Sequence, residues 1–271
     1  MKFADLVTGA QRDGWIAATV DIETIRRQAA AHGWSEIPIR RGDQPVSVLK
    51  PVQPDSAHPR SLSAQYGLGD QPLHTDGAHM ARPPDIVVLV VSGPSQTPTR
   101  LWAYDRMTRR REDPPRTAFS HGMFLVHTGR DSFYAPVLAG GRWRYDPGCM
   151  TPCDARARQV DDYLAAQLAS AWTWQWTQAG QLLVIDNRSV LHARAAVAHT
   201  VTSQRSRRSP AHCPFQAYLV CPSKWPLVTE FLPTPPVGPA GPVKSTAATR
   251  QLRDPDARDD DEEDFDEDDS P

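Results

Sequence analysis

The sequence predicts a mainly β chain, an antiparallel sandwich or jelly roll with flanking helices rather than a parallel α/β fold. Three observations predict it. Short β-branched or alternating runs recur along the chain, Pro and Gly turns (26 Pro, 16 Gly) separate them, and helix-period segments are few and do not alternate with strands.

In order, residues 22–33, "IETIRRQAAAHG", are expected to form a short amphipathic helix stopped by Gly33. The extended pieces "SEIPIR" and "VSVLKPV" follow, punctuated by Pro and Gly. "DIVVLVV" (85–91) is an apolar run of the kind buried on both faces of a sheet, and "GMFLVHTG" and "GRWRYDP" read as further strands. Residues 154–170 begin with an Asp N-cap and carry apolar side chains at 160, 163, 164 and 168, the spacing of a longer helix. "WTWQWTQ" alternates strictly and most simply packs alternate indoles into the sandwich. A turn at Ala179-Gly180 leads to "QLLVIDN", and "FQAYLVC" is the last strand. No internal repeat, Gly-rich phosphate loop or Gly-x-Ser-x-Gly elbow is present.

The net charge of −2 hides two opposed parts. Residues 254–271 hold 12 acidic residues and one Arg; without them 29 Lys and Arg face 20 Asp and Glu, so residues 1–253 carry about +9. A block of like charge cannot collapse, and "PTPPVGPAGPVKSTAATRQ" before it reads as a linker. The expected organisation is therefore one domain over 1–232 and a disordered linker and acidic tail over 233–271. The tail reads as a solubilising appendage or as a segment folding back on a basic surface. The longest apolar run is strand-sized and the N-terminus lacks a signal peptide's apolar stretch, so a cytoplasmic location and no membrane partner are expected. Cys149, Cys153, Cys213 and Cys221 would then be reduced thiols. Cys149, Cys153, His212 and Cys213 do not match the usual zinc spacings.

Chemistry concentrates in "QPLHTDGAHMARPPDIVVLVV" (71–91), where His74 and Asp76 stand two apart. Such a pair occurs by chance in a chain with nine histidines. In a strand, however, residues i and i+2 point to one side, so the two can converge on one point. A third ligand is available in "AGQLLVIDNRSVLHARAAV", where an apolar strand and a polar corner deliver His192. Two imidazoles and a carboxylate make the facial triad of non-haem Fe(II) oxygenases, which leaves three positions open.

Three segments carry a family resemblance: "SLSAQYG" with "LHTDGAHMARPPDIVVL", "RWRYDPGCMTP", and "GQLLVIDNRSVLHARAA". Together they frame residues 61–221 and resemble the taurine-dioxygenase (TauD/TfdA) family of Fe(II)/2-oxoglutarate dioxygenases with its clavaminate-synthase-like relatives. His-Thr-Asp matches the taurine-dioxygenase side of that family. The resemblance implies a double-stranded β-helix of the cupin-like kind, with Fe(II) on His74, Asp76 and His192. It also implies 2-oxoglutarate and O2 as cosubstrates, and hydroxylation of an unactivated C–H of a small molecule, an amino acid or natural-product intermediate, with release of succinate and CO2. Family members bind the distal carboxylate of 2-oxoglutarate with an Arg beyond the last His, because a guanidinium pairs bidentately with a carboxylate. Counted from His192, Arg205, Arg207 and Arg208 fall at a suitable distance, and an insertion before the last strand would favour Arg208. Counted back from "FQAYLV", His212 and Gln216 occupy the arginine positions. The family's Thr contact corresponds to Thr99, and a shift of one residue puts Arg100 there instead.

Other polar residues have plainer readings. Asp186 and Asn187 are expected to brace the turn before His192 through side-chain to backbone bonds. Asp85 is expected to be structural at the start of a strand, and His79 lies near the pair or is exposed. Arg106, Arg109, Arg110 and Arg111 form a solvated basic face or attract an anionic or carrier-bound substrate. The rival function is a jelly-roll protein that keeps the scaffold without the chemistry, as a binding or regulatory module. A nucleic-acid oxygenase is disfavoured by the acidic tail, which would repel phosphate.

Overall fold

The computed structural model describes residues 1–197, except 40, 41, 50, 60, 105–113 and 115, together with the backbone of the strand at 214–220. The proposed linker and tail, Cys213, Cys221, Arg106, Arg109 to Arg111, Arg205, Arg207 and Arg208 lie outside the described residues.

The chain opens with α1 (Phe3–Asp13), which the sequence reading did not anticipate. Phe3, Leu6, Val7 and Ala10 fall at helical spacing and all four are buried. Strand β1 (Trp15–Thr19) follows, then α2 (Ile22–Ala31), whose N-cap Asp21 accepts from Thr24 N at 2.9 Å and which ends before Gly33 at φ 74°. Next come β2 (Ser35–Glu36), β3 (Val46–Val48), α3 (Leu62–Tyr66), β4 (Ile86–Val91) and β5 (Ser95–Trp102). They are followed by α4 (Arg116–His121), β6 (Phe124–His127), β7 (Ser132–Ala135), β8 (Leu138–Ala139), β9 (Arg142–Trp143) and β10 (Met150–Pro152). Helix α5 (Ala155–Ala166) starts at the expected cap: Asp154 accepts from Ala157 N at 2.7 Å and from Met123 N at 3.0 Å. The order closes with β11 (Trp172–Trp176), β12 (Gln181–Asp186), β13 (Leu191–Arg194) and β14 (Pro214–Val220).

Every strand pairing among the described residues is antiparallel. The main sheet runs β1-β12-β4-β14-β2, with β3 also on β14; a second sheet runs β11-β5-β13 and a third β10-β6-β7. The apolar run of β4 is buried at all six positions because its two faces serve two cores. Ile86, Val88 and Val90 pack with α1 and α2, while Val87, Leu89 and Val91 pack toward β5 and β11. Its neighbour β12 divides the same way, Leu182 and Val184 to one side and Leu183 and Ile185 to the other. Each such side chain contributes about 1.5–3 kcal/mol on burial. A third, aromatic cluster of Trp102, Tyr104, Phe119 and Trp143 lies under α4 and α5.

Some expected strands form only in part or pack only in part: "SEIPIR" pairs only at Ser35–Glu36. "GRWRYDP" supplies only the two residues of β9, because Gly140 and Gly141, at φ 56° and 74°, turn the chain tightly and the residues after Trp143 leave the hairpin. In "WTWQWT", Trp174 and Trp176 join the inter-sheet core. Trp172 stays 45% exposed, because β11 is the edge of its sheet, and stacks on Trp15 at 5.6 Å. No helix among the described residues is long and apolar enough to cross a membrane.

Candidate metal centre

His74 and His192 lie directly opposite each other in an isolated antiparallel bridge. Each backbone N–H donates to the other's carbonyl at 2.9 Å. Side chains of an opposed pair leave the same face, so the rings sit side by side, with centroids 4.7 Å apart. Asp76, two residues on from His74, returns to that face. Its Oδ2 is 3.0 Å from His192 Nε2 and its Oδ1 is 3.7 Å from His74 Nε2. The three potential ligand atoms all lie within 4.8 Å of one another, and this is the one such His/Cys/Asp/Glu group among the described residues. The structure thus brings together the three residues singled out from the sequence.

The local chain explains how. Thr75, fully buried between His74 and Asp76, accepts from Tyr145 N at 3.0 Å and donates to Tyr145 O at 3.3 Å, while its own N–H donates to the same carbonyl at 2.7 Å. After Asp76 the chain turns at Gly77, φ 68°, where a Cβ would meet Pro84 and Met80 at under 3 Å. Arg144 then donates to the carbonyls of Ala78, Met80 and Ala81, closing that turn.

The set fits a divalent transition metal. His74 Nδ1–H donates to Pro72 O at 3.0 Å, the carbonyl contact that turns Nε2 and its lone pair toward the centre. Burial disfavours the charge on Asp76, but the adjoining imidazoles, His192 first, hold its carboxyl well below the ordinary range. Burial likewise works against an imidazolium at His74, yet the hydrogen bond and charge of Asp76 outweigh it and raise its pKa to about 9. Without a metal, a proton therefore compensates the buried carboxylate, and a dication can take its place. Two nitrogens and one oxygen are a donor set for Fe(II).

The triad forms part of the wall of a cavity of about 1290 Å³, whose other walls include Leu89, Val91, Thr99, Asp146, Cys149 and Trp176. Thr99 lines it, 8% exposed, and its Oγ1 accepts from Trp176 Nε1 at 3.1 Å. Arg100, one residue on, leaves the other side of β5 and donates to Thr173 Oγ1 at 2.6 Å, so its guanidinium is not in the cavity wall. His79 lines the cavity with Nε2 3.1 Å from Ile39 O. Asp85 lies apart, paired with Arg142 at 2.7 Å, and Asp186 pairs with Arg188 at 2.7 Å. Asn187 does more than brace its own turn, since its side chain reaches the backbone of Asp76. Asp146 and Cys149 were not singled out as cavity residues from sequence; nothing in their spacing announces it. Burial and the neighbouring Asp146 push the Cys149 thiol up, which keeps it protonated.

No family model matches the chain, and no curated protein matches it. Solved structures do. An asparagine oxygenase in complex with Fe(II), 2S,3S-3-hydroxyasparagine and succinate is 19% identical at a TM-score of 0.60, with 80% of this chain and 78% of that chain covered. The non-heme iron oxygenase OrfP in complex with Fe, succinate and (3S)-hydroxy-L-Arg is 16% identical at 0.56, covering 80% and 79%. PvcB, an Fe, alpha-ketoglutarate dependent oxygenase from an isonitrile synthetic pathway, is 16% identical at 0.53, covering 81% and 80%. Over four fifths of its length, this chain has the fold of these iron oxygenases.

Proposed function

We propose that the protein is an Fe(II)- and 2-oxoglutarate-dependent dioxygenase, a double-stranded β-helix enzyme that hydroxylates a C–H of an amino acid or related small molecule. The observation that supports this reading most is the convergence of His74, Asp76 and His192 at the wall of a large cavity, in a fold shared with three oxygenases of that kind. An amino-acid substrate is favoured because two of those structures hold hydroxyasparagine or hydroxyarginine.

In this reading His74, Asp76 and His192 would hold Fe(II), a donor set that does not fill an octahedral ion's coordination. The bound metal supplies the O2 chemistry that couples decarboxylation of 2-oxoglutarate to succinate and CO2 with oxidation of the substrate. The chain does the rest. Asp76 offsets one unit of the metal's charge, and Pro72 O fixes the tautomer of His74. Leu89, Val91 and Trp176 give the cavity part of its apolar wall. Trp176 occupies a lone pair of Thr99 Oγ1 and so leaves the hydroxyl proton for a cosubstrate carboxylate. Of the guanidiniums the sequence offers for the distal carboxylate, Arg205, Arg207 and Arg208 beyond the last His, and Arg100, we take Arg208 as the first choice. The reading is tested by succinate formation from 2-oxoglutarate: it should require Fe(II) and vanish in His74→Ala, and metal-independent turnover would refute it.

A further inference from the structure

The backbone bridge that aligns the two histidines ends at His74, two residues short of Asp76. What fixes Asp76 is the side chain of Asn187, 1% exposed at the end of β12 and 111 residues away in sequence. Asp76 N–H donates to Asn187 Oδ1 at 2.9 Å, and Asn187 Nδ2 donates to Asp76 O at 3.0 Å and to Pro84 O at 2.9 Å. The amide orientation is forced, since its oxygen must face the N–H and its nitrogen the two carbonyls. The carboxamide thus pairs with Asp76 as the peptide of a neighbouring strand would, taking both its donor and its acceptor. Both amide protons are used, and the side chain is absent from the wall of the cavity that His74, Asp76 and His192 line.

We infer that Asn187 is the positioning residue of the metal centre: it substitutes for the missing strand pairing at Asp76 and sets where the carboxylate stands relative to the two imidazoles. This rests on the reading of His74, Asp76 and His192 as metal ligands, and on no part of the oxidation chemistry. Arg144, which binds carbonyls of the same loop beyond the ligand, orders the turn but does not touch Asp76 through any of its three bonds. The two side chains therefore separate ligand positioning from loop order.

The test is titration of the full chain with Co(II) alone, following the visible d–d absorption, for wild type, Asn187→Ala, the near-isosteric Asn187→Asp, and Arg144→Gln, with thermal melts of the metal-free proteins. In Asn187→Asp an oxygen replaces the NH2 facing Asp76 O and Pro84 O; ionised it donates to neither and protonated it can donate to only one, so it should weaken the site as Ala does. Loss of a group that orients a ligand costs about 10–100-fold in metal affinity. Both Asn187 variants should weaken Co(II) binding by that factor and change the band, whereas Arg144→Gln should lower the melting temperature with a smaller loss of affinity. A folded Asn187→Asp with wild-type affinity and band would overturn the inference, leaving Asn187 a structural residue. Equal losses in Arg144→Gln would also overturn it, because loop order would then account for the effect. If wild type shows no saturable band, the metal-centre reading itself falls.

Discussion

Thr75→Val is the most quantitative perturbation of the site that leaves all three ligands in place. Valine keeps the shape of threonine, so the loss is confined to the hydroxyl, which is fully buried and holds Tyr145 at both its N–H (3.0 Å) and its carbonyl (3.3 Å). The carbonyl keeps a partner in the Thr75 N–H at 2.7 Å, but the Tyr145 N–H is orphaned in the interior. An unsatisfied buried donor costs about 1–3 kcal/mol, so a loss of about 2 kcal/mol is expected. At roughly 2–4 °C per kcal/mol for a domain of this size, the melting temperature should fall by about 4–8 °C. Urea denaturation of the metal-free protein measures it, with the midpoint lowered and the slope unchanged. Thr75→Ser, which keeps the oxygen, should recover most of the loss. A Val variant within about 0.3 kcal/mol of wild type would mean that this hydroxyl does not tie the ligand loop to Tyr145, and the account of how the loop is held would be wrong.

His74→Ala and Asp76→Ala should each abolish stoichiometric metal binding while the protein keeps its far-ultraviolet circular dichroism, because both sit at the cavity wall and neither belongs to the apolar clusters. Because His74 is raised to about 9 in the metal-free protein, a metal must displace its proton; Co(II) affinity should rise by up to about tenfold per pH unit below 9 and then level off. By the same shift, the His74–Asp76 attraction stabilises the metal-free fold fully below the unfolded value near 6.5 and is lost as pH climbs through about 9; melts at pH 6 and 9.5, with His74→Gln as control, check the sign. Arg208→Ala should raise the 2-oxoglutarate requirement by about tenfold or more with little change for iron, and Arg100→Ala, whose guanidinium lies on Thr173, should leave both within about twofold.

The parts of this fold that sequence makes legible are those in which one strand or helix carries its own pattern. The run 86–91 announces burial on both faces, and Asp154 announces the start of α5. Helix α1 carries the same kind of pattern in Phe3, Leu6, Val7 and Ala10, but in only 11 residues, with polar side chains between them. Two-residue strands such as β2, β8 and β9 offer no period to read, since alternation needs at least four residues. At the site, residue types and order pointed to the three ligands. Their alignment is a tertiary fact, the bridge between residues 118 apart in sequence. Thr99 and Arg100 show the limit most clearly: a shift of one residue exchanges the faces of a strand, and only the pairing of β5 with β11 and β13 fixes which side chain enters the cavity. The reach of Asn187 to Asp76 is illegible for the same reason, since a side chain's partner across 111 residues leaves no local mark.

The central claim is that these three residues hold Fe(II) with a place for 2-oxoglutarate beside it. Anaerobic titration of the Fe(II)-loaded protein with 2-oxoglutarate, watched in the visible range with His192→Ala as control, tests it most directly. A weak, saturable charge-transfer band should appear in the wild type only. Bound iron with no band at any 2-oxoglutarate concentration would contradict it.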